Sequence, residues 1–187
     1  MITLSDYIKE HYDKRFDQDK IPFDIVQKTV KKGTIIYPYS KIGDKIYFLN
    51  QGIIETSIGF GEIEKTLSFI FKGNFFCSFA SILTKTPSEI QGTAITDCVY
   101  EELNYSDYQK ICERSILANK IGRKEVENYY VKKYNRERDL LLKSKEEMYL
   151  EMVKSNPEIL KNIPLNKIAN YFNIRPETLS RIRKKIV

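Results

Sequence analysis

Residues suited to acid–base, nucleophilic or metal chemistry are scarce in this sequence. The single histidine, His11, lies in a polar N-terminal segment with no nearby nucleophile, so a Ser/His/Asp or Cys/His catalytic group is not expected. The same count excludes a histidine-rich metal site, and Cys77, Cys98 and Cys112 form no CxxC pair. No GxxxxGK(S/T) or GxGxxG phosphate-binding run is present either. We therefore predict a protein that is not an enzyme and that carries neither a metal nor a cofactor.

Long apolar runs are also lacking. None reaches the length of about 18 residues that a membrane-spanning helix needs. Residues 1–20 are charged throughout and contain no apolar segment of the kind found in a signal peptide. The odd number of cysteines argues against a disulfide framework. These absences predict a cytoplasmic protein with no membrane partner.

Positive charge is concentrated near the C-terminus. The chain has a formal net charge of +6, yet residues 1–142 hold 21 Lys and Arg against 20 Asp and Glu. Residues 161–187 hold seven basic residues against one acidic residue, Glu177. This distribution favours a surface that contacts phosphate groups, although a solvated basic face would have the same composition.

The segment from about Val30 to Leu103 has the pattern of β-strands. Several short runs rich in Ile, Tyr, Phe, Val and Thr are separated by turn signals such as KIGD and NQG. Their near-regular spacing predicts an antiparallel sandwich or barrel rather than alternating strands and helices. A short polar helix is predicted before them, over Leu4 to Phe16. The runs are TIIYPY, KIYFLN, GIIETSIGF, KTLSFIF and CVYEEL.

After Leu103 the pattern becomes helical. Ser106 is a suitable N-cap, and no proline occurs from there until Pro157. A stripe of small and apolar residues recurs at steps of four and seven, and it could either cover the β domain or pair with a second copy in a dimer. A break is expected around 143–145. The stripe consists of Ile111, Ala118, Gly122, Val126, Tyr130, Tyr134 and Leu141.

The segment from Pro164 onwards predicts two short helices joined by a tight turn. Ile168, Ala169 and Phe172 share one face of the first helix, and Leu179 and Ile182 share one face of the second. These spacings are typical of a helix-turn-helix, in which a small residue such as alanine lets the helices cross closely.

The turn between the two helices, NIRPE, has suitable chemistry. Asn173 stands where a left-handed residue is needed, and asparagine tolerates that conformation better than most residues. Pro176 suits the first turn of the second helix, and Glu177 favours a helix N-terminus.

The polar residues of the second helix predict contacts with double-stranded DNA. Arginine can bind guanine through two hydrogen bonds, glutamate can accept from cytosine, and basic residues can bind the phosphate backbone. The alternative is a small helical hairpin with a solvated basic face. The predicted DNA-binding residues are Lys167, Arg175, Glu177, Thr178, Ser180, Arg181, Arg183, Lys184 and Lys185.

Over essentially its whole length, the chain resembles the Crp/Fnr family of bacterial transcription regulators. KKGTIIYPYSKIGDKIYFLNQGIIE is similar to the opening of that family's cyclic-nucleotide-binding-type β-roll, and AITDCVYEEL is similar to its closing strands. NIPLNKIANYFNIRPETLSRIRKK is similar to its helix-turn-helix, with ETLSR as the most specific part.

The resemblance implies an α+β fold in three segments. An N-terminal antiparallel β-roll of jelly-roll type, with its helix, would occupy residues 1–104 as an effector-type domain. A long connecting and dimerisation helix would occupy 105–142, and a small all-α helix-turn-helix domain 143–187. The sequence ends at Val187, so we expect the short form that lacks the family's β-wing.

The resemblance also implies partners and residue roles. Glu177 and Arg181 would read bases, with Arg175, Thr178 and Ser180 in support. The long helix would form the seam of a homodimer, and RNA polymerase is a candidate partner.

The family's cyclic-nucleotide cassette is altered in this chain. The family has a Gly-Glu pair, whose Glu holds a ribose hydroxyl, and an Arg-Ser/Thr-Ala run, whose Arg neutralises the phosphate. Cys77 and Ser78 align with the first, and Ser88 and Glu89 lie near the second. No arginine occurs between Phe16 and Cys112, so the bidentate phosphate contact is missing. The candidate ligand pocket is Phe75, Cys77, Ser78, Ser88 and Glu89.

We therefore predict a dimeric, sequence-specific DNA-binding regulator that cyclic AMP does not activate. The β-roll would either sense an unidentified small-molecule effector or serve as a dimer scaffold. The alternative is a small-molecule-binding β-roll sensor without a role in DNA binding.

Overall fold

The computed structural model describes residues 1–17, 25–60 and 63–186. The chain divides into two compact units, Met1–Asn119 and Lys120–Val187. In the part of the chain that is described, no helix combines the length and the apolar character needed to cross a membrane. All three cysteines are free thiols.

The first unit contains eight strands and three complete helices among its described residues. The elements are α1 (Leu4–His11), β1 (Val26–Val30), β2 (Ile35–Tyr37), β3 (Lys45–Gln51), β4 (Ile53–Phe60), β5 (Ile63–Phe71), β6 (Phe75–Phe76), α2 (Phe79–Thr84), β7 (Ile90–Ala94), β8 (Cys98–Asn104) and α3 (Tyr105–Cys112). The strands form two four-stranded antiparallel sheets, in the orders β1-β8-β3-β6 and β2-β7-β4-β5. Several helices follow the strands, so the α+β fold with an N-terminal antiparallel β-roll is confirmed.

Aromatic rings fill much of the space between the two sheets. Tyr47 lies at the centre, stacked on Tyr37 at 5.8 Å and on Phe76 at 5.1 Å between ring centroids, with the edge of Tyr100 at 5.6 Å. Gly92 lets Tyr37 approach β7, because a Cβ at this position would overlap the tyrosine ring. Strand alternation explains why these rings face inward while Phe48, the neighbour of Tyr47, faces α1.

Helix α1 is anchored to the outer side of the β1-β8-β3-β6 sheet. The backbone N–H of Leu4 donates to the carboxylate of Glu101 over 2.7 Å, and the Asn50 side chain donates to the same oxygen over 2.6 Å. The carboxylate therefore accepts a free N–H at the helix N-terminus, where negative charge is favourable.

The predicted helix over residues 4–16 is shorter in the structure and is not polar on all sides. It ends at His11, and it buries Leu4 and Ile8. Beyond it, the Asp13 carboxylate accepts from the Arg15 backbone N–H over 2.9 Å. Such a local side-chain bond competes with continuation of the helix.

The single long helix predicted over 105–142 is two helices, α3 and α4 (Ile116–Leu142). The backbone N–H groups of Arg114 and Ser115 both donate to the Ile111 carbonyl, which closes α3. The Ser115 hydroxyl then accepts from the Ala118 N–H over 3.2 Å, as an N-cap does. The boundaries at 104 and 142 stay predictions, although β8 and α4 end at these residues.

The second unit is helical and has its own apolar core. Helix α5 (Lys145–Ser155) begins at a capping box, in which the Ser144 hydroxyl accepts from the Glu147 N–H and the Glu147 carboxylate accepts from the Ser144 N–H. Helices α6 (Ile159–Asn162), α7 (Leu165–Tyr171) and α8 (Pro176–Ile186) follow. The buried side chains of α5 to α8 are Met148, Tyr149, Ile159, Ile163, Ile168, Ala169, Phe172, Leu179 and Ile182.

Candidate nucleic-acid interface

Helices α7 and α8 are joined by a tight turn centred on Asn173. This residue has φ of 54°, in the left-handed region, so the conformation predicted for it is confirmed. The Asn173 N–H donates to the Asn170 carbonyl and the Ile174 N–H to the Ala169 carbonyl, each over 3.0 Å. These two hydrogen bonds form a Schellman motif, the helix ending that a residue in the left-handed conformation makes possible.

The two helices are held together by the apolar residues that the sequence pattern indicates. Ala169, Phe172 and Leu179 are at most 1% exposed, and Ile168 and Ile182 are also buried. Because Leu179 and Ile182 are three residues apart, they lie on one side of α8 and turn the opposite side toward solvent.

The N-terminus of α8 is formed by Arg175 and Pro176. The Arg175 carbonyl accepts from the Leu179 N–H over 3.2 Å, and Pro176 is the first residue of the helix. Pro176 has no N–H to leave unpaired, and Glu177 in the first turn interacts favourably with the helix dipole. Arg175 and Glu177 are both exposed.

The solvent-facing side of α8 carries most of the predicted DNA-binding residues. Ser180 is half-buried at the edge of this face. Arg183 is exposed but lies on the side of α8 near Tyr149. Burial raises the pKa of the Tyr149 hydroxyl, and the positive charge of Arg183 partly offsets this rise. Besides Arg183, the exposed predicted residues of α8 are Glu177, Thr178, Arg181, Lys184 and Lys185.

Two of the lysines predicted to contact phosphate are less accessible than the sequence indicates. The Lys185 ammonium lies 3.5 Å from the Glu146 carboxylate, a solvent-exposed pair that contributes little to stability. Lys167 lies on α7 and is half-buried.

The charge of the two units differs in sign. Residues 120–187 hold 17 Lys and Arg against 9 Asp and Glu, whereas residues 1–119 hold 14 against 16. The helical unit therefore has a formal charge of +8 and the β-roll unit −2. An excess of this size in one unit attracts a polyanion to that unit.

One contact at the helix-turn-helix has no signal in the sequence. The Arg136 guanidinium of α4 lies over the ring of Tyr171, with Cζ 3.9 Å from the ring centroid. Its Nη2 also donates to the Tyr171 carbonyl over 3.3 Å. The two residues are 35 positions apart, so no local pattern relates them.

The predicted dimer stripe lies only partly on α4. Ile111 is buried in α3, before the break, and is therefore off the stripe. Ala118 and Gly122 are half-buried. The exposed apolar residues of α4 are Ile116, Val126, Tyr129, Tyr130, Val131, Tyr134, Leu140, Leu141 and Leu142.

The predicted ligand-pocket residues do not all come together in the β-roll. Phe75 faces α1, with its ring 5.1 Å from that of Phe48 and 5.9 Å from that of Tyr7, so it does not join the other candidate residues at the interior of the roll. The ring that faces the interior is that of the next residue, Phe76. Strand alternation is the reason, since adjacent residues of β6 point to opposite faces. Glu89 is exposed.

Ser78 and Ser88 do come together, and they bond to each other. Their hydroxyl oxygens lie 2.6 Å apart, both residues are buried, and Ser88 donates onward to the Ile90 carbonyl over 2.6 Å. Cys77, which directly precedes Ser78, packs against the buried cluster that contains Tyr47 and Phe76. Burial raises the pKa of the Cys77 thiol to about 12. The group is therefore uncharged at neutral pH.

Comparison with known proteins agrees with this architecture. Residues 27–115 match the family described as the cyclic nucleotide-binding domain. The fold is similar to that of a transcriptional regulator of the Crp/Fnr family from Eubacterium rectale, at 18% identity and a TM-score of 0.70, with 92% of this chain and 84% of that chain covered.

Two further solved structures are similar over most of the chain. FixK2 from Bradyrhizobium japonicum has 17% identity and a TM-score of 0.68, with 87% of this chain and 84% of that chain covered. A CooA mutant from Carboxydothermus hydrogenoformans has 12% identity and a TM-score of 0.69, with 100% and 86% covered. At these identities the likeness shows the fold. No curated protein matches the sequence.

The turn between α7 and α8 depends on the left-handed residue. We expect Asn173→Ala to lower the free energy of unfolding by about 1 kcal/mol, because a Cβ with no compensating side-chain bond is disfavoured at positive φ. Asn173→Gly should stay close to the original stability. Urea denaturation followed by tyrosine fluorescence would measure both, and equal losses for the two variants would contradict this account of the turn.

Proposed function

Because the chain carries a cyclic nucleotide-binding domain over residues 27–115 and has the fold of Crp/Fnr-type transcription regulators, we propose that it is a dimeric, sequence-specific DNA-binding regulator. It would act in the cytoplasm of a bacterial cell. The observation that carries the proposal is helix α8, whose apolar side is buried while its opposite side presents short polar and basic groups to solvent.

The exposed face of α8 suits the major groove of DNA. Thr178 is short enough for the helix to lie close to base edges, and Arg181 can donate two hydrogen bonds to guanine. Glu177 can accept from the amino group of cytosine. These three residues would supply the sequence preference, supported by Arg175 and Ser180.

Phosphate contacts would come from basic residues in the last turns of α8 and on α7. Arg183, Lys184 and Lys185 lie in the last turns of α8, and Lys167 lies on α7. Such contacts add affinity without sequence information. The ion pair of Lys185 with Glu146 is exposed, so exchanging it for a phosphate contact would cost little.

The exposed apolar side of α4 would pair with a second copy of the chain. Tyr130 is 70% exposed, Tyr134 57% and Val126 48%, and the three follow one another at steps of four residues. Side chains at this spacing form one stripe along a helix. Two parallel copies would bury the stripe and present two α8 helices to half-sites about one turn of DNA apart.

The residues present do not fit a cyclic nucleotide bound in the family's manner. A buried anion needs a cation or several donors beside it. The hydroxyls of Ser78 and Ser88, at or next to the altered positions, are engaged with each other. One lysine candidate, Lys85, is exposed and lies 6.0 Å from the ring centroid of Tyr105. The roll would therefore respond to an unidentified neutral effector or act as a scaffold for the dimer.

Selection of bound sequences from a random pool of DNA duplexes tests the proposal. We expect enrichment of a palindromic site with no effector added, because a dimer presents two identical recognition helices. Binding to the enriched site should weaken steeply as salt is raised. A chain that enriches no site and shows no sequence preference would support the alternative, a sensor module without a role in DNA binding.

Substitutions on α8 separate base reading from phosphate binding. On the enriched site, Arg181→Ala should cost about 1–3 kcal/mol per half-site and relax the preference at one base pair. Lys184→Ala, one turn further along the same face, should weaken binding to all sequences alike and reduce the salt slope by about 1. Fluorescence anisotropy on matched and mismatched duplexes would distinguish them. A uniform loss for Arg181→Ala on every duplex would contradict the role assigned to it.

Cyclic AMP should not bind with sub-micromolar affinity, because no arginine between Phe16 and Cys112 is available for its phosphate. Isothermal titration with cyclic AMP and cyclic GMP, on protein that has first been shown to bind its DNA site, would measure this. The DNA binding controls for a folded sample, and sub-micromolar binding of either nucleotide would refute the prediction.

A further inference from the structure

Helix α4 contacts the helix-turn-helix through a different side from the exposed apolar stripe. Arg136 lies two residues beyond Tyr134, so the two side chains leave the helix about 200° apart. Arg136 stacks on the Tyr171 ring at 3.9 Å and donates to the Tyr171 carbonyl over 3.3 Å. A planar guanidinium can make both contacts at once, whereas an ammonium group cannot.

Tyr171 lies at the junction between α7 and the turn of the helix-turn-helix. It is the last residue of α7, directly before the turn that leads to α8, and its carbonyl lies at the negative end of the helix, where a cation is favourable. Its ring also meets that of Phe172 at 5.0 Å, and Phe172 in turn meets Tyr149 of α5 at 6.3 Å. Arg136 thus contacts the last residue of α7, directly before the turn that sets the direction of α8.

An arginine at this position has a cost in stability as well as a gain. The Arg136 Nη1 is buried and has no hydrogen-bond acceptor among the residues that the structure describes. A buried donor without an acceptor offsets part of the stability that the ring and carbonyl contacts contribute. What an apolar side chain could not supply is the directional contact to the Tyr171 carbonyl.

We propose that Arg136 is a positioning residue for DNA recognition. Through Tyr171 it fixes the orientation of α8 relative to α4, and so it sets which separation of half-sites the dimer accepts. The proposal rests on the proposed function, since α4 would form the seam of the dimer. Arg136 itself contacts no base, so its loss should widen the range of accepted separations without changing which bases each half-site prefers.

The test uses the full-length protein and palindromic duplexes built from the enriched half-site. Their centre-to-centre separation is varied by one and two base pairs around the selected value. We expect Arg136→Met to bind the selected duplex about 5- to 30-fold more weakly and to discriminate less between separations. The salt slope should stay the same, because no phosphate contact is lost. Tyr171→Leu should act in the same direction, and combining the two should add little.

Arg138→Met is the matched control. It removes the same charge two residues away, from a guanidinium that is exposed and paired with Asp139 at 2.8 Å. It should leave the discrimination between separations unchanged. Amide hydrogen exchange in the free protein gives a second readout, because Arg136→Met should speed exchange at Asn173 and Ile174 while Arg138→Met should not.

The outcomes separate the two proposals. Arg136→Met that discriminates separations as the original chain does would overturn the positioning role while leaving the DNA-binding proposal intact. A wild-type chain that prefers no duplex would overturn both. If Arg136→Met does not fold, Arg136→Lys replaces it in the test. Lysine keeps the positive charge but lacks the planar guanidinium that stacks on the Tyr171 ring, so this variant should show the same loss of discrimination between separations.

Discussion

The burial of Phe172 and Leu179 in the helical unit is the constraint on which the proposed recognition surface depends. Neither side chain is more than 1% exposed, and between them lies the left-handed turn at Asn173. Once these two residues are in the core, the rotation of α8 is fixed, and Arg181 must face solvent. The set of groups that α8 presents to solvent, and would present to DNA under the proposed function, is thus a consequence of apolar packing on the opposite side of the same helix.

The chain combines this proposed surface with a β-roll whose cassette residues differ from those of the family that it resembles. The β-roll keeps its two sheets and an aromatic interior centred on Tyr47. At the altered cassette, however, Ser78 and Ser88 satisfy one another, and no charged group is required there. Such a roll would suit a neutral effector or a structural role, and the net positive charge of the chain comes from the helical unit, at +8 against −2 for the roll unit.

Sequence reasoning predicted the parts of the molecule that follow from local rules. The strands, the turn at Asn173 and the buried positions of α7 and α8 depend on periodicity and on the conformations a residue tolerates, and the structure confirms them. It did not anticipate that Phe75 faces α1 while Phe76 faces the interior, since a one-residue difference in a strand exchanges the two faces. It also missed the break between α3 and α4, where a few backbone bonds at Ile111 outweigh a continuous helical pattern.

Composition and spacing within single segments are enough to indicate the strands, the helices, the basic helical end and the absence of arginine between Phe16 and Cys112. The bond between the Ser78 and Ser88 hydroxyls and the contact of Arg136 with the ring and carbonyl of Tyr171 are known only from the fold. The first joins residues ten positions apart and the second residues 35 positions apart, and their geometry depends on how whole elements pack, which no local pattern encodes.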